Sequence, residues 1–285
     1  MNHMHDYILT LSCPDRMGIV HTVSSWLLTH HGNIVHAQQF GDVDSQQFFL
    51  RVHFSLPQDA DLGMLQADFA PIAERFDMQF DFHDTHRKAR LLVLVSRQGH
   101  CLNDLLFRVH SGQMPAEIAG VVSNHEDFRS LAEANGLPFH YLPVSADTRT
   151  TQEQQILDLC TQERVDLVVL ARYMQILSAN LCQGLSGRAI NIHHSFLPGF
   201  KGARPYYQAH ARGVKIIGAT AHYVTQDLDE GPIIEQDIER VDHAMNPKDL
   251  TRIGSDIESV VLSRAVRWHV EHRILLNGRR TVVFR

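Results

Sequence analysis

The stretch "RLLVLVS" (90–96) decides the fold of most of this chain. Its apolar residues run on without polar alternation, and a strand of that kind is buried on both faces, as in a parallel sheet covered by helices. Working outward, "EIAGVVSN" (117–124), "FHYLPV" (139–144) and "VDLVVLA" (165–171) repeat the pattern, and the spacing predicts helices over 100–110, 126–135 and 151–163. Continuous apolar strands alternating with helices predict a doubly wound, mostly parallel α/β sheet. "RAINIHH" (188–194), "IIGATAHYV" (216–224) and "PIIEQDIER" (232–240) extend it, and an amphipathic stretch over 247–276 closes the chain.

Upstream, residues 6–84 read as a separate small α/β unit. "YILTLSC" (7–13) is a strand, and Ile19, Val20, Val23, Trp26, Leu27 and Leu28 recur at helical spacing, with Gly32 as the expected C-cap. "IVHAQQFGDVDSQQFFLRVHFSL" reads as two strands around a Gly41–Ser45 turn, Leu62 to Phe76 as a second helix, and "MQFDFH" (78–83) as a last strand. The order is βαββαβ, a ferredoxin-like unit. "HDTHRKAR" (83–90) is polar and marks the linker, so the expected domains are 6–84 and 88–285.

Composition excludes several classes. The 285 residues are 44% apolar and 20% charged, with a net charge of -6, which argues against a general affinity for nucleic acid. No apolar run approaches the roughly 20 residues needed to span a bilayer, and "MNHMHDYILTLSCPDR" lacks the layout of a secretory signal. Cys13, Cys101, Cys160 and Cys182 are widely spaced without a CxxC pair, the pattern of reduced thiols in a cytoplasm. Twenty histidines invite a metal, but neither an HExxH nor a carboxylate-rich cluster with ligand spacing is present, so no metal site is expected. "SRQGHCLNDLL" (96–106) has one glycine and matches neither the dinucleotide fingerprint nor the P-loop.

Ligands on open parallel sheets bind at the carboxyl ends of the strands. Three segments place polar or pocket-lining residues there. In "NIHHSFLPGFKG" (191–202), Asn191 and His193 are two apart and share one face of an extended chain. Asn191 and His193 are either ordinary hydrogen-bonding residues at a strand end or a platform presenting an amide and an imidazole to a substrate. "AHYVTQDLDEGPII" (221–234) carries the acidic turn Asp227, Asp229 and Glu230, and "ARYMQILS" (171–178) leaves a core strand as an apolar wall.

Taken together, "NIHHSFLPGFKG" and "HYVTQDLDEGPI" (222–233) resemble the N-x-H-x-S-x-L-P and L-D-x-G signature of the formyltetrahydrofolate-dependent formyl-transferring family, over about 88–280. The resemblance implies a Rossmann-like catalytic domain and a catalytic set of Asn191, His193 and Asp229. The chemistry gives each a reason: attack on a formamide carbon develops negative charge on oxygen, which an amide NH₂ and an imidazole N–H can stabilise. A carboxylate beside the histidine can hold its ring and take a proton from the nucleophile. No covalent nucleophile is required, so Ser195 reads as a turn hydroxyl and His194 as a bystander pointing away from His193. The folate pocket is expected to include Met174, Ile176, Leu177 and Val224, with backbone from the segment Val224 to Asp229 bonding the pterin edge. Gln175 stands where transferases often carry a basic residue.

"CPDRMGIV" (13–20) resembles ACT domains, small amino-acid-sensing or pairing modules. That implies a turn at Asp15 and Gly18, with Asp15 as N-cap, which either receives an amino-acid effector such as glycine or methionine or only serves pairing. A homo-oligomer, dimer or tetramer, is the expected assembly.

The family passes its formyl group to an amine, to a charged tRNA or to water. "SRQGHCL" (96–102) places His100 and Cys101 where ribonucleotide transformylases cradle a phosphate with Gly-Ser-Asn, and the acidic balance of the chain leads us to expect no basic tRNA-binding domain after the catalytic one. The leading ACT-like block is similar to the hydrolytic members alone. The expected activity is therefore hydrolysis of 10-formyltetrahydrofolate to formate and tetrahydrofolate, feeding purine synthesis and balancing the one-carbon pool. His100 and its loop either plug the space of a second substrate, or His100 is simply the first residue of a helix. Folate is substrate, so no separate cofactor is expected, and the location is cytoplasmic. The alternatives are a glycinamide ribonucleotide formyltransferase and a non-catalytic folate or amino-acid sensor.

Overall fold

A computed structural model describes residues 4–57, 60–199 and 205–285. The end of the "NIHHSFLPGFKG" motif, 200–202, lies outside the described residues. The chain divides into two units: residues up to Lys88 together with Glu271–Arg285, and Ala89–Val270. The second unit begins where the polar linker ends, but its expected extent to 285 is corrected, because the terminal segment belongs to the first unit.

In the first unit, β1 (His5–Pro14), α1 (Ile19–Thr29), β2 (Asn33–Asp42), β3 (Gln47–Leu56), α2 (Leu62–Phe76) and β4 (Gln79–Asp84) follow in βαββαβ order. The strands form an antiparallel sheet ordered β2-β3-β1-β4. Period-two alternation puts Leu9 and Leu11 of β1, and Leu50, Val52 and Phe54 of β3, on one face. There they bury against Val23 and Trp26 of α1 and Phe69 and Phe76 of α2. The helix caps differ from expectation. Gly18, at φ 92, is the N-cap of α1, and no side chain caps this helix, so Asp15 does not. At the other end His31 takes the left-handed conformation, and the His31 and Gly32 N–H groups donate to Leu28 and Leu27, a Schellman arrangement with histidine in the glycine's usual place.

The second unit contains β5 (Ala89–Val95), α3 (His100–His110), β6 (Ala116–Ser123), α4 (Arg129–Ala134), β7 (Phe139–Tyr141), α5 (Arg149–Gln162) and β8 (Leu167–Leu170). It continues through α6 (Ala179–Gly184), β9 (Ala189–His193), α7 (Pro205–Arg212), β10 (Ile216–Tyr223), β11 (Ile233–Arg240) and α8 (Pro247–Val270). The sheet order is β11-β10-β9-β8-β5-β6-β7. From β9 to β7 the neighbours are parallel, while β10 and β11 each run antiparallel to the strand before. Leu91 to Val95 are wholly buried, as the unbroken apolar run required. The chain winds outward from β5 to β7 and then returns to β8 on the other side of β5, a topological switch point of the kind that opens a ligand crevice. No helix among the described residues is long and apolar enough to cross a membrane.

The expected terminal helix stops at Val270, and a hairpin follows, β12 (Ile274–Asn277) and β13 (Arg280–Val283). Phe49, on the face of β3 opposite the helices, is 1% exposed and packs with Leu275, Val282 and Phe284. This explains why β3 is apolar in both registers. Arg51, on that same face and 3% exposed, donates from Nε to His272 O at 3.0 Å and from Nη2 to Glu271 O at 2.9 Å. Burial pushes its pKa down to about 10. Asn277 Nδ2 and Arg280 Nη2 donate to the Asp42 carboxylate at 2.6 and 2.7 Å. Arg51→Met should therefore destabilise the first unit by about 3–6 kcal/mol, the value of two charge-assisted bonds to backbone carbonyls. Amide hydrogen exchange should accelerate across Ile274–Val283; unchanged protection there would show that the arginine does not fasten the segment.

Candidate active site

Asn191 and His193 project from one face of β9, two residues apart at its carboxyl end. They line a cavity of about 310 Å³ bounded by the segment 172–177 after β8 and by residues 222–229 after and at the end of β10. Register carries the second wall into place: His222 pairs with Asn191 across the β9–β10 ladder, and Val224 N–H donates to Ala189 O at 2.9 Å.

Asp229 reaches the cavity through a constrained turn. It holds φ 58, a left-handed conformation that aspartate tolerates better than most residues. At Gly231 a Cβ would lie 1.7 Å from Tyr223 O, so the return into β11 passes too close to β10 for any side chain. The motif L-D-x-G thus encodes a turn that only glycine can close. Asp229 Oδ1 lies 3.1 Å from His193 Nδ1, with both side chains largely buried. Burial opposes ionisation of Asp229, but the hydrogen bond from His193 and the charge of the neighbouring histidines outweigh it, and the carboxyl lies below its ordinary range. With Nδ1 committed to a carboxylate, the ring has Nε2 left for a substrate, and that atom is buried without a partner among the described residues.

His222 escaped the sequence reading. Its Nδ1 bonds Tyr223 O at 2.9 Å, and a carbonyl only accepts, so Nδ1 carries the proton. Burial holds its pKa below the usual value, and the neutral ring's Nε2 then accepts from Asn191 Nδ2 at 3.2 Å. This orients the amide. The signal was a histidine inside the mostly apolar strand "IIGATAHYV". His194 corrects an expectation: the alternation of β9 ends at His193, and His194 stacks beside that ring at 5.1 Å and lines the same cavity. Burial first, then the charges of Arg172 and His193, push its pKa down to about 4. Ser195 Oγ donates to Gly199 O at 2.7 Å, as a turn hydroxyl does.

Met174, Ile176, Leu177 and Val224 all line the cavity, with Met174 and Ile176 more than half exposed at its rim. Two backbone donors of this wall are already used, Val224 N–H by Ala189 O and Met174 N–H by Ser96 Oγ at 3.0 Å. Val224 N–H is thus withdrawn from the donors expected to meet a pterin. His100 is not among the lining residues. His100 is the first residue of α3, as the second of its two readings has it, and its Nε2 lies 2.8 Å from the Glu258 carboxylate in a buried polar cluster rather than plugging the cavity. Asp15 and Gly18 belong to the first unit.

The formyl transferase family matches residues 89–266. The formyltetrahydrofolate deformylase of Corynebacterium sp. (strain P-1) is 50% identical over 286 residues, covering 100% of both chains. Among solved structures, the formyltetrahydrofolate deformylase of Burkholderia mallei is 52% identical with a TM-score of 0.94, over 99% of this chain and 100% of that one. The enzyme of the same name from Pseudomonas syringae pv. tomato is 45% identical with a TM-score of 0.96, over 100% of this chain and 96% of that one.

The buried neutral histidines make stability depend on pH. Unfolding lets His194 bind a proton at its ordinary 6.5, whereas the folded ring resists until about 4. Stability from this source is complete above pH 6.5 and is lost as pH falls from 6.5 toward 4, by about 3 kcal/mol, and His222 acts in the same direction. Urea unfolding at pH 7 and pH 4.5 should show a markedly smaller acid loss in His194→Asn than in the unaltered protein; equal losses would exclude His194 as the source.

Proposed function

Because the chain belongs to the formyl transferase family, and within it to the formyltetrahydrofolate deformylases, we propose that it hydrolyses 10-formyltetrahydrofolate to formate and tetrahydrofolate. The observation that carries the assignment of roles is the convergence of Asn191, His193 and Asp229 on one cavity, with His193 Nδ1 held by Asp229 and Nε2 left without a partner among the described residues. Water adds to the formyl carbon and Asp229 accepts its proton. Asn191 Nδ2 and His193 Nε2 donate to the oxygen that becomes negative. A donor at Nε2 requires the imidazolium, whose charge the Asp229 carboxylate balances. Collapse breaks the carbon–nitrogen bond, the folate nitrogen takes a proton, and the oxygen from water leaves in formate. The apolar rim of Met174, Ile176 and Leu177, with Val224, holds the folate rings.

In the same reading the first unit is an ACT domain. The left-handed Gly18 beside Asp15 supports a turn for an amino-acid effector such as glycine or methionine. Strand β2 lies at the edge of its sheet with Ile34, Val35 and Phe40 exposed, which supports pairing with a second copy into a dimer or tetramer. The reaction needs no separate cofactor, and the enzyme works in the cytoplasm.

Incubation with 10-formyltetrahydrofolate should release formate without any amine acceptor, and added glycinamide ribonucleotide should not be formylated. Formate release that depends on the amine would replace hydrolysis by transfer. Asp229→Asn should fold and lose hydrolysis by about 10²–10⁴, the usual value of general base help. Asn191→Ala should lose about 10²–10³, the value of one oxyanion donor. Near-normal turnover in either variant would remove that residue from the mechanism.

A further inference from the structure

Arg172 sits just beyond β8 at the switch point, where its carbonyl accepts from Ser96 N–H at 3.2 Å. It is 6% exposed and holds φ 65, a conformation that costs a long L side chain energy and persists only where surrounding structure imposes it. The side chain is held on two sides. Nε and Nη2 donate to Gln98 Oε1 at 2.8 and 2.5 Å, and Nε lies 3.3 Å from the Glu258 carboxylate. Glu258, 1% exposed on α8, also meets His100 Nε2 at 2.8 Å and accepts from Tyr206 OH at 2.5 Å. Tyr206 crosses α8 at Gly254, where a Cβ would stand 2.0 Å from its hydroxyl. The effect of this cluster is to fix the guanidinium plane.

One donor is left over. Arg172 Nη1 is buried with no hydrogen-bond partner among the described residues, while Arg172 lines the same cavity as Asn191, His193 and Asp229. An unpaired charged donor in low dielectric costs more than a neutral one, so it calls for a missing partner. Among the described residues that line this cavity, His193 also has a buried side-chain nitrogen without a partner, Nε2. Glu258 already neutralises the arginine's charge from behind, which leaves Nη1 suited to a small anion rather than to a further protein carboxylate.

We propose that Arg172 Nη1 is the binding site for formate in this cavity, taking the oxygen that water contributes as the carboxylate forms. The inference rests on the hydrolytic reading for its ligand. The substrate lacks that oxygen, so Arg172 serves product and late transition state, and substrate binding does not depend on it. Asn191 and His193 hold the original formyl oxygen, which leaves the carboxylate's second oxygen to Arg172.

The test uses the full chain and sodium formate, titrated by calorimetry at constant ionic strength with sodium chloride. Arg172→Lys keeps a cation beside Glu258 and lacks the Nη1 donor. It should weaken formate binding, and raise the formate product-inhibition constant, by about ten- to a hundredfold, as loss of one charge-assisted bond does. Its kcat should fall while KM for 10-formyltetrahydrofolate stays within about twofold, a split that a merely structural arginine would not give. Unchanged formate affinity in the folded variant overturns the inference. Should the variant fail to fold, a crystal of the unaltered protein soaked in sodium formate decides: a planar anion bonded to Nη1 supports the site, and its absence there overturns it. Formate binding is read without folate, so failure of the hydrolytic reading appears separately, as no formate released from 10-formyltetrahydrofolate.

Discussion

The contact between Asp229 Oδ1 and His193 Nδ1 constrains everything around it, because it joins a residue fixed on a core strand to one carried by a surface turn. Meeting at 3.1 Å requires β10 to run antiparallel beside β9, and requires a turn that folds back tightly enough to close. The absent side chain of Gly231 and the left-handed backbone of Asp229 supply that turn. Once made, the contact settles the ring's tautomer and directs Nε2 at the cavity. The carboxylate stays ionised despite burial because the histidine bonds it.

Burying so many polar groups is costly unless each has a partner. The cavity meets this by chaining them: Tyr223 O holds His222, His222 holds Asn191, and Asp229 holds His193. The opposite wall is fastened from α5 and β5. Gln152 donates to Tyr173 OH at 2.8 Å, Glu153 accepts from Ser178 N–H at 2.9 Å, Arg149 donates to Ile176 O, and Ser96 Oγ takes Met174 N–H. Side chains locked in this way present their donors without reorganising during the reaction, which is where electrostatic stabilisation gains its strength.

Much of this was legible in the residues. The apolar runs of β5 and β8 announced a parallel sheet, and the βαββαβ order of the first unit follows from its alternation and turn residues. Asn191, His193 and Asp229 stood out through motif spacing. What escaped is physically of one kind. His222, Arg172 and Glu258 are polar residues inside apolar or amphipathic stretches, and the side chains they meet, Asn191 for His222 and Gln98 and Glu258 for Arg172, lie 31 to 86 positions away. Glu258 meets Arg172 across 86 positions (258 minus 172), and no local pattern encodes such a pairing. The hairpin after α8 escaped for the same reason, since its strands are short and Phe49 and Arg51 on β3, which it covers, lie more than 200 residues earlier.

The amino-acid sequence by itself therefore determined the sheet architecture and the family signature, because periodicity and tight-turn chemistry act over a few residues. Only the tertiary structure decided which nitrogen of His193 is free, how Asn191 is turned, and that His194 shares the cavity. It also decided that His100 belongs to a buried cluster and that Arg172 keeps one donor without a partner among the described residues. These are outcomes of three-dimensional hydrogen-bond satisfaction, in which each group's state depends on partners that folding alone brings within reach.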